Sequence, residues 1–290
     1  MSNVLDAENR MLELPFADGN HTVRVWDAAR PSAVIVAIHG GMAYSGDYVT
    51  VGAYFRDAGV TTLSFDLTGH GRKRRIDIPA FDVFIDDVTR MLEWVHSTWP
   101  GLPVFLMGHS MGALIATHME TSGRLSAFGI RGVVLSSPYY ANAIPVSPLV
   151  IRLSRILAAL FPTAKVPMAS LTEWLTHDTA IVSRHKEDEK SQRRASEASL
   201  RFGRSLLEAQ ASLGNDLARW QHPVFAVIAG DDKLADASVS RRMLETIPEP
   251  LRTLLYFPEN FHENFNETNR NEIFADLWQW MRERLDRGHQ

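Results

Sequence analysis

Residues 103–116 read PVFLMGHSMGALIA, and this stretch decides the fold. Its first half is an apolar run of strand length, and its second half carries apolar residues at helical spacing. Between them stands Gly-x-Ser-x-Gly, with Ser110 at the turn flanked by Gly108 and Gly112. A strand that reverses into a helix within so few residues forces its central residue into an unfavourable backbone conformation. It also brings neighbouring backbones close, so the flanking positions must lack side chains. The serine hydroxyl is left exposed at the carboxyl end of the sheet.

Outward from this turn the chain alternates between two kinds of segment. Residues 11–16 and 21–26, separated by Ala17-Asp18-Gly19-Asn20, predict an antiparallel hairpin. Six apolar runs follow, beginning near Ala33, Val60, Pro103, Gly132, Pro223 and Arg252, each suited to a strand buried on both faces. Amphipathic segments separate them, at residues 48–58, 81–99, 111–121, 238–246 and 271–285. That alternation implies an α/β fold with a mostly parallel central sheet flanked by helices. Run starts are spaced by 27, 43, 29, 91 and 29 residues. The spacing of 91 exceeds one crossover helix, so a helical cap is expected at residues 138–216, inserted into a core of residues 1–137 and 217–290. Within the cap, residues 146–161 are apolar nearly all round and are expected to pack as a lid helix. The charge-dense residues 183–204 are expected to form a solvated surface.

A net charge of -4 with 22% charged residues describes an ordinary globular protein, and nothing in it suggests nucleic acid. Cysteine is absent, which excludes disulfides, thiolate zinc sites and a cysteine nucleophile. The first thirty residues hold Asp6, Glu8, Glu13 and Asp18 and no apolar stretch of secretory length, and no segment reaches membrane-spanning length. The expected location is cytoplasmic, with peripheral contact at a membrane as an open alternative.

A serine hydroxyl needs a base, and the base needs a carboxylate to hold its tautomer. On an open parallel sheet such groups gather beyond the carboxyl ends of the strands. Of eleven histidines, His262 lies five residues beyond Phe257 and is the candidate base. His39, His70 and His109 also end strands, but His39 and His70 suit backbone hydrogen bonding and His109 lies on the wrong side of the turn. The carboxylate should follow the fifth run, where Asp231, Asp232 and Asp236 are available. Asp236 suits a helix cap, and Asp232 is preferred, with Asp231 in reserve.

These motifs together resemble the α/β-hydrolases of the monoacylglycerol lipase and lysophospholipase group. The resemblance rests on His39-Gly40-Gly41-Met42-Ala43-Tyr44-Ser45-Gly46-Asp47-Tyr48, Asp66-Leu67-Thr68-Gly69-His70-Gly71-Arg72, Gly108-His109-Ser110-Met111-Gly112, Asp232-Lys233-Leu234-Ala235-Asp236 and His262-Glu263-Asn264-Phe265-Asn266-Glu267, in the family's order. It implies Ser110 as nucleophile, Asp232 as triad acid, His262 as base, and the backbone N–H groups of Gly41 and Met111 as the oxyanion hole. Met42, Tyr44, His109, Leu149, Leu153 and Leu234 are the expected substrate-binding residues. Met42 departs from the family by replacing a loop glycine. Arg72-Lys73-Arg74-Arg75 is a further departure, expected to be a solvated loop, with help in binding a phosphate headgroup near the mouth as the alternative.

The implied activity is that of a serine carboxylic-ester hydrolase working through an acyl-enzyme on monoacylglycerols or lysophospholipids. A short-chain carboxylesterase, a thioesterase or acyltransferase, and a non-catalytic binding protein of the same fold stay open. Such chemistry calls for no metal and no organic cofactor. The expected partner is a small-molecule or lipid ester, with transient membrane contact through the cap; the oligomeric state is left open.

Overall fold

The computed structural model describes residues 5, 7, 9–71, 74–145, 147–168, 170–214 and 217–286. The opening hairpin, β1 (Arg10–Phe16) and β2 (Gly19–Trp26), pairs antiparallel and joins the sheet by an antiparallel contact with β4. The chain continues through β3 (Ala33–Ile38), α1 (Val49–Asp57), β4 (Val60–Phe65), β5 (Arg75–Ile76), α2 (Asp82–Thr98), β6 (Val104–His109), α3 (Met111–Thr121) and β7 (Gly132–Ser136). After α4 (Pro148–Leu160), β8 (Lys165–Pro167), α5 (Thr179–Lys190), β9 (Glu197–Ser199) and α6 (Leu200–Ser212), it returns to β10 (Val224–Ala229), α7 (Ala237–Glu245), β11 (Arg252–Phe257) and α8 (Arg270–Asp286). The eight-stranded sheet runs β1-β2-β4-β3-β6-β7-β10-β11, and its six later strands are parallel. This is the α/β-hydrolase arrangement.

Strand periodicity explains why both faces are dry. Along β3, Val34, Val36 and Ile38 enter the core shared with α2, α3 and α7, whereas Ala33, Ile35 and Ala37 enter the core under α1 and α8. Each fully buried aliphatic side chain of this kind contributes about 1.5–3 kcal/mol. The two cores hold β6 rigidly, and β6 carries the serine turn.

The segment between β7 and β10 carries α4, α5 and α6, and a second sheet of order β5-β9-β8 ties it to the core through β5. Two expectations need correction here. Helix α4 is not packed on both sides: Leu149, Leu153, Ile156, Leu157, Leu160 and Phe161 are all exposed, from 47% to 66%. The charged run 183–204 is solvated only in part: Lys186, Glu187, Lys190 and Arg193 are exposed, but His185, Asp188 and Arg194 are buried. Arg72 and Lys73 lie outside the described residues, while Arg74 pairs with Glu197 at 3.0 Å and Arg75 donates to the Thr163 carbonyl.

Candidate active site

Ser110 sits between the end of β6 and the first residue of α3 with φ 55° and ψ −117°. This strained conformation is held from several directions: its N–H donates to the Ser136 carbonyl at 2.9 Å, and its carbonyl accepts from Ala113, Leu114 and Tyr139. Close approach does the rest. A Cβ on Gly112 would fall 2.1 Å from the Ile38 carbonyl oxygen, so α3 crosses β3 backbone to backbone only because that position is glycine.

His262 follows β11 and is buried. Its Nδ1 lies 2.6 Å from Asp232 Oδ2, and the other oxygen of Asp232 accepts from the N–H groups of Leu234 and Ala235 at 2.8 and 2.9 Å. Burial would raise the Asp232 carboxyl, but His262 and those two N–H groups outweigh it and hold it below its ordinary value. An ionised Asp232 fixes the tautomer with the proton on Nδ1 and leaves Nε2 as acceptor. Nε2 is buried and has no hydrogen-bond partner among the described residues, and Ser110 and His262 line the same cavity. Asp231 instead pairs with Lys233, and Asp236 caps α7 by accepting from the Val239 N–H.

The backbone loop 40–43 borders Ser110 closely: a Cβ on Gly40 would lie 3.2 Å from the Ser110 Cβ. Gly41 and Met111 both line the cavity, and Met111, the first residue of α3, presents one of the N–H groups that has no acceptor within its own helix. Met42, where the family carries glycine, adopts φ 61° and its carbonyl accepts from the Ala195 N–H of the segment between β7 and β10. The departure in sequence is therefore a position of backbone strain.

Two chambers meet at Ser110, sharing Gly41, Met42, Met168, Leu171 and Leu234. The larger, about 580 Å³, runs past Met111, Ile144, Phe202 and Leu206 and is predominantly apolar. The smaller, about 150 Å³, is lined by His109, Ser170, Thr172, Glu189, Arg194, Ser196 and Glu263 among others. Met42, His109 and Leu234 thus face the cavity. His109 packs against the His262 ring, 4.7 Å between centroids, and burial, with His262 beside it, lowers it to about 3, so it is neutral.

Three expected substrate residues are elsewhere. Tyr44 is buried away from both chambers, with its hydroxyl donating to Asp188 at 2.9 Å, and burial pushes it up to about 12. Leu149 and Leu153 are exposed on α4 and line neither chamber. The extended apolar run had suggested a helix turned inward.

Sequence reasoning missed the charged group behind the small chamber. Arg194 Nη1 lies 2.5 Å from Asp47 Oδ2 and donates to His185 Nδ1 at 3.2 Å, while His185 Nε2 reaches Glu263 at 2.8 Å. Burial would raise Glu263, but His185 and Arg194 hold it well below its ordinary value. No local signal marks these residues, because Asp47 and Glu263 are distant in sequence from the cap. Asp47, His185 and Asp188 are close enough to hold a cation, but Asp47 faces Arg194 and Asp188 faces Arg184 and Arg193, so the donor set is already matched by guanidinium groups.

A family model described as serine aminopeptidase, S33, matches residues 29–269. The phospholipase YtpA of Bacillus subtilis (strain 168) is 30% identical over 252 residues, covering 86% of this chain and 95% of that protein. The monoglyceride lipase of Homo sapiens is 28% identical over 281 residues, covering 92% and 89%. Among solved structures, a soluble variant of monoglyceride lipase from Saccharomyces cerevisiae aligns with a TM-score of 0.83 over 97% of both chains at 20% identity.

Proposed function

The chain belongs to the serine aminopeptidase S33 family of hydrolases and is a serine-type ester hydrolase; from that premise we propose that it cleaves monoacylglycerols or lysophospholipids through an acyl-Ser110 intermediate. The observation that carries this reading is the buried Asp232–His262 pair at 2.6 Å, opening on the same cavity as the strained Ser110. The Ser110 hydroxyl attacks the ester carbonyl as His262 Nε2 takes its proton. Charge develops on the former carbonyl oxygen, where the N–H groups of Gly41 and Met111 receive it. The imidazolium, steadied by Asp232, returns the proton to the leaving alkoxide. Water then attacks the acyl-serine by the reverse route and releases the carboxylic acid.

Residues 138–216 act as the cap in this proposal, and the large apolar chamber takes the acyl chain. The proposal includes peripheral membrane contact, supported by the exposed apolar face that Leu149, Leu153, Leu157 and Leu160 form on α4, with Phe161 just beyond it. Among the described residues no helix is long and apolar enough to cross a membrane.

A fluorophosphonate probe tests the chemistry. Wild-type protein should be labelled and Ser110→Ala should not, and Asp232→Asn should lower kcat by about 10⁴-fold with the geometry kept. Equal labelling of Ser110→Ala would remove the nucleophile from the proposal.

A further inference from the structure

Behind Ser110 and His262, the segment that leaves β7 carries hydrogen bonds to both. The Ser136 carbonyl accepts from the Ser110 N–H at 2.9 Å and the Tyr139 N–H donates to the Ser110 carbonyl at 3.2 Å, so residues 136–139 hold the serine turn from two sides. From the middle of the same segment, the Ser137 hydroxyl donates to the main-chain carbonyl of His262 at 2.7 Å. A carbonyl can only accept, so the hydroxyl proton is committed to it and the Ser137 oxygen is left to accept from Asn264 Nδ2 at 3.0 Å. That orients the Asn264 amide, whose Oδ1 accepts from Asn260 Nδ2 at 2.9 Å. The Asn260 carbonyl in turn accepts from the N–H of Asp231, the neighbour of Asp232, at 3.1 Å. Ser137, Asn260 and Asn264 are all buried. Ser137 also adopts φ 42°, a left-handed conformation that a residue with a Cβ keeps only where its surroundings impose it. Here its N–H donates to the Val227 carbonyl at 2.9 Å.

The Asp232 contact sets the tautomer and tilt of the His262 ring, but it does not set how far the ring stands from Ser110. That distance depends on where the main chain of residue 262 lies relative to the serine turn. We propose that Ser137 is a positioning residue for His262: by pinning the His262 main chain to the segment that also grips Ser110, it fixes the reach of Nε2 to the hydroxyl. The inference rests on the esterase reading above and adds to it a side chain that touches no reacting atom.

The test uses Ser137→Ala and Ser137→Gly, with active sites counted from the fluorophosphonate label at completion. Rates are then expressed per labelled site, and loss of folded protein cancels. With p-nitrophenyl decanoate both variants should lose at least about tenfold in kcat at little-changed KM, since a misplacement of about 1 Å can cost about 10²-fold. The initial labelling rate should fall with kcat, because it draws on the same proton transfer. Glycine accepts φ 42° without strain, so Ser137→Gly should be at least as stable to denaturant as Ser137→Ala and yet as slow. A merely structural role for the hydroxyl would move the unfolding midpoint and the labelled fraction but leave kcat per site in place. A kcat per site within about twofold of wild type in either variant would overturn the inference. So would activity that returns in Ser137→Gly together with stability. If Ser137→Ala yields no folded protein, Ser137→Gly decides by the same criterion. Wild-type protein that neither takes the label nor turns over the ester would instead remove the esterase reading, and this inference with it.

Discussion

His39 shows how a single side chain can be locked in one protonation state. It is fully buried at the end of β3, its Nδ1–H donates to the Gly40 carbonyl at 2.8 Å, and its Nε2 accepts from the Leu67 N–H at 3.1 Å. Both nitrogens are committed to the neutral ring, and burial lowers its pKa to about 4. Since the unfolded chain takes up this proton near pH 6.5, stability from His39 is complete above that value. It is lost as pH falls towards 4, by up to about 3 kcal/mol over that window. Chemical denaturation of wild type at pH 7 and pH 5 should show the loss, and His39→Gln should flatten the difference. A slope unchanged by the substitution would place the acid sensitivity elsewhere. At this scale the sequence was informative wherever a local pattern governs the backbone: the turn at Ser110 between two glycines, or the cap at Asp236 ahead of α7. It was uninformative for Tyr44, whose hydroxyl partner Asp188 comes from the cap.

Among the elements, α4 and α5 are the ones composition described least well. An apolar helix ordinarily marks burial, but α4 leaves Leu157 and Leu160 at 47% and 65% exposure. If that face rests on lipid, Leu157→Glu combined with Leu160→Glu should lower the partition coefficient onto neutral phosphatidylcholine vesicles, read by co-sedimentation, by at least about tenfold, since about half of the roughly 1.5–3 kcal/mol of each side chain is at stake. Retained co-sedimentation would refute the membrane role of this face. Helix α5 makes the opposite point. Charges along it and just beyond it look alike in one dimension whether water or a partner receives them, and only the fold brings Glu263 to His185 on the helix and Asp47 to Arg194 after it. The strands were legible because alternate residues serve two separate apolar cores, a pattern carried by each strand on its own.

Across the whole molecule, the cap and the sheet are joined by buried charge as well as by hydrogen-bonded strands. Removing Arg194 would leave Asp47 and Glu263 without their shared cation, so Arg194→Met is expected to cost about 3–5 kcal/mol in denaturant unfolding. A change below 1 kcal/mol would mean that water replaces the guanidinium without penalty. The alternation of strands and helices along the chain and the parallel sheet it implies were readable from apolar runs and their spacing. The division into two chambers was not, because it arises from side chains that meet only after the cap has settled on the core.

The pairing of β5 with β9 has a practical outcome for anyone recombining such proteins. Arg75 and Ile76 lie some sixty residues ahead of the insertion, yet they are stitched to it edge to edge. A graft that exchanges the covering segment alone would therefore leave a torn seam on both parents, with ladder partners orphaned. Transplants that carry the 74–76 segment along with the lid should be the ones that yield well-behaved hybrids.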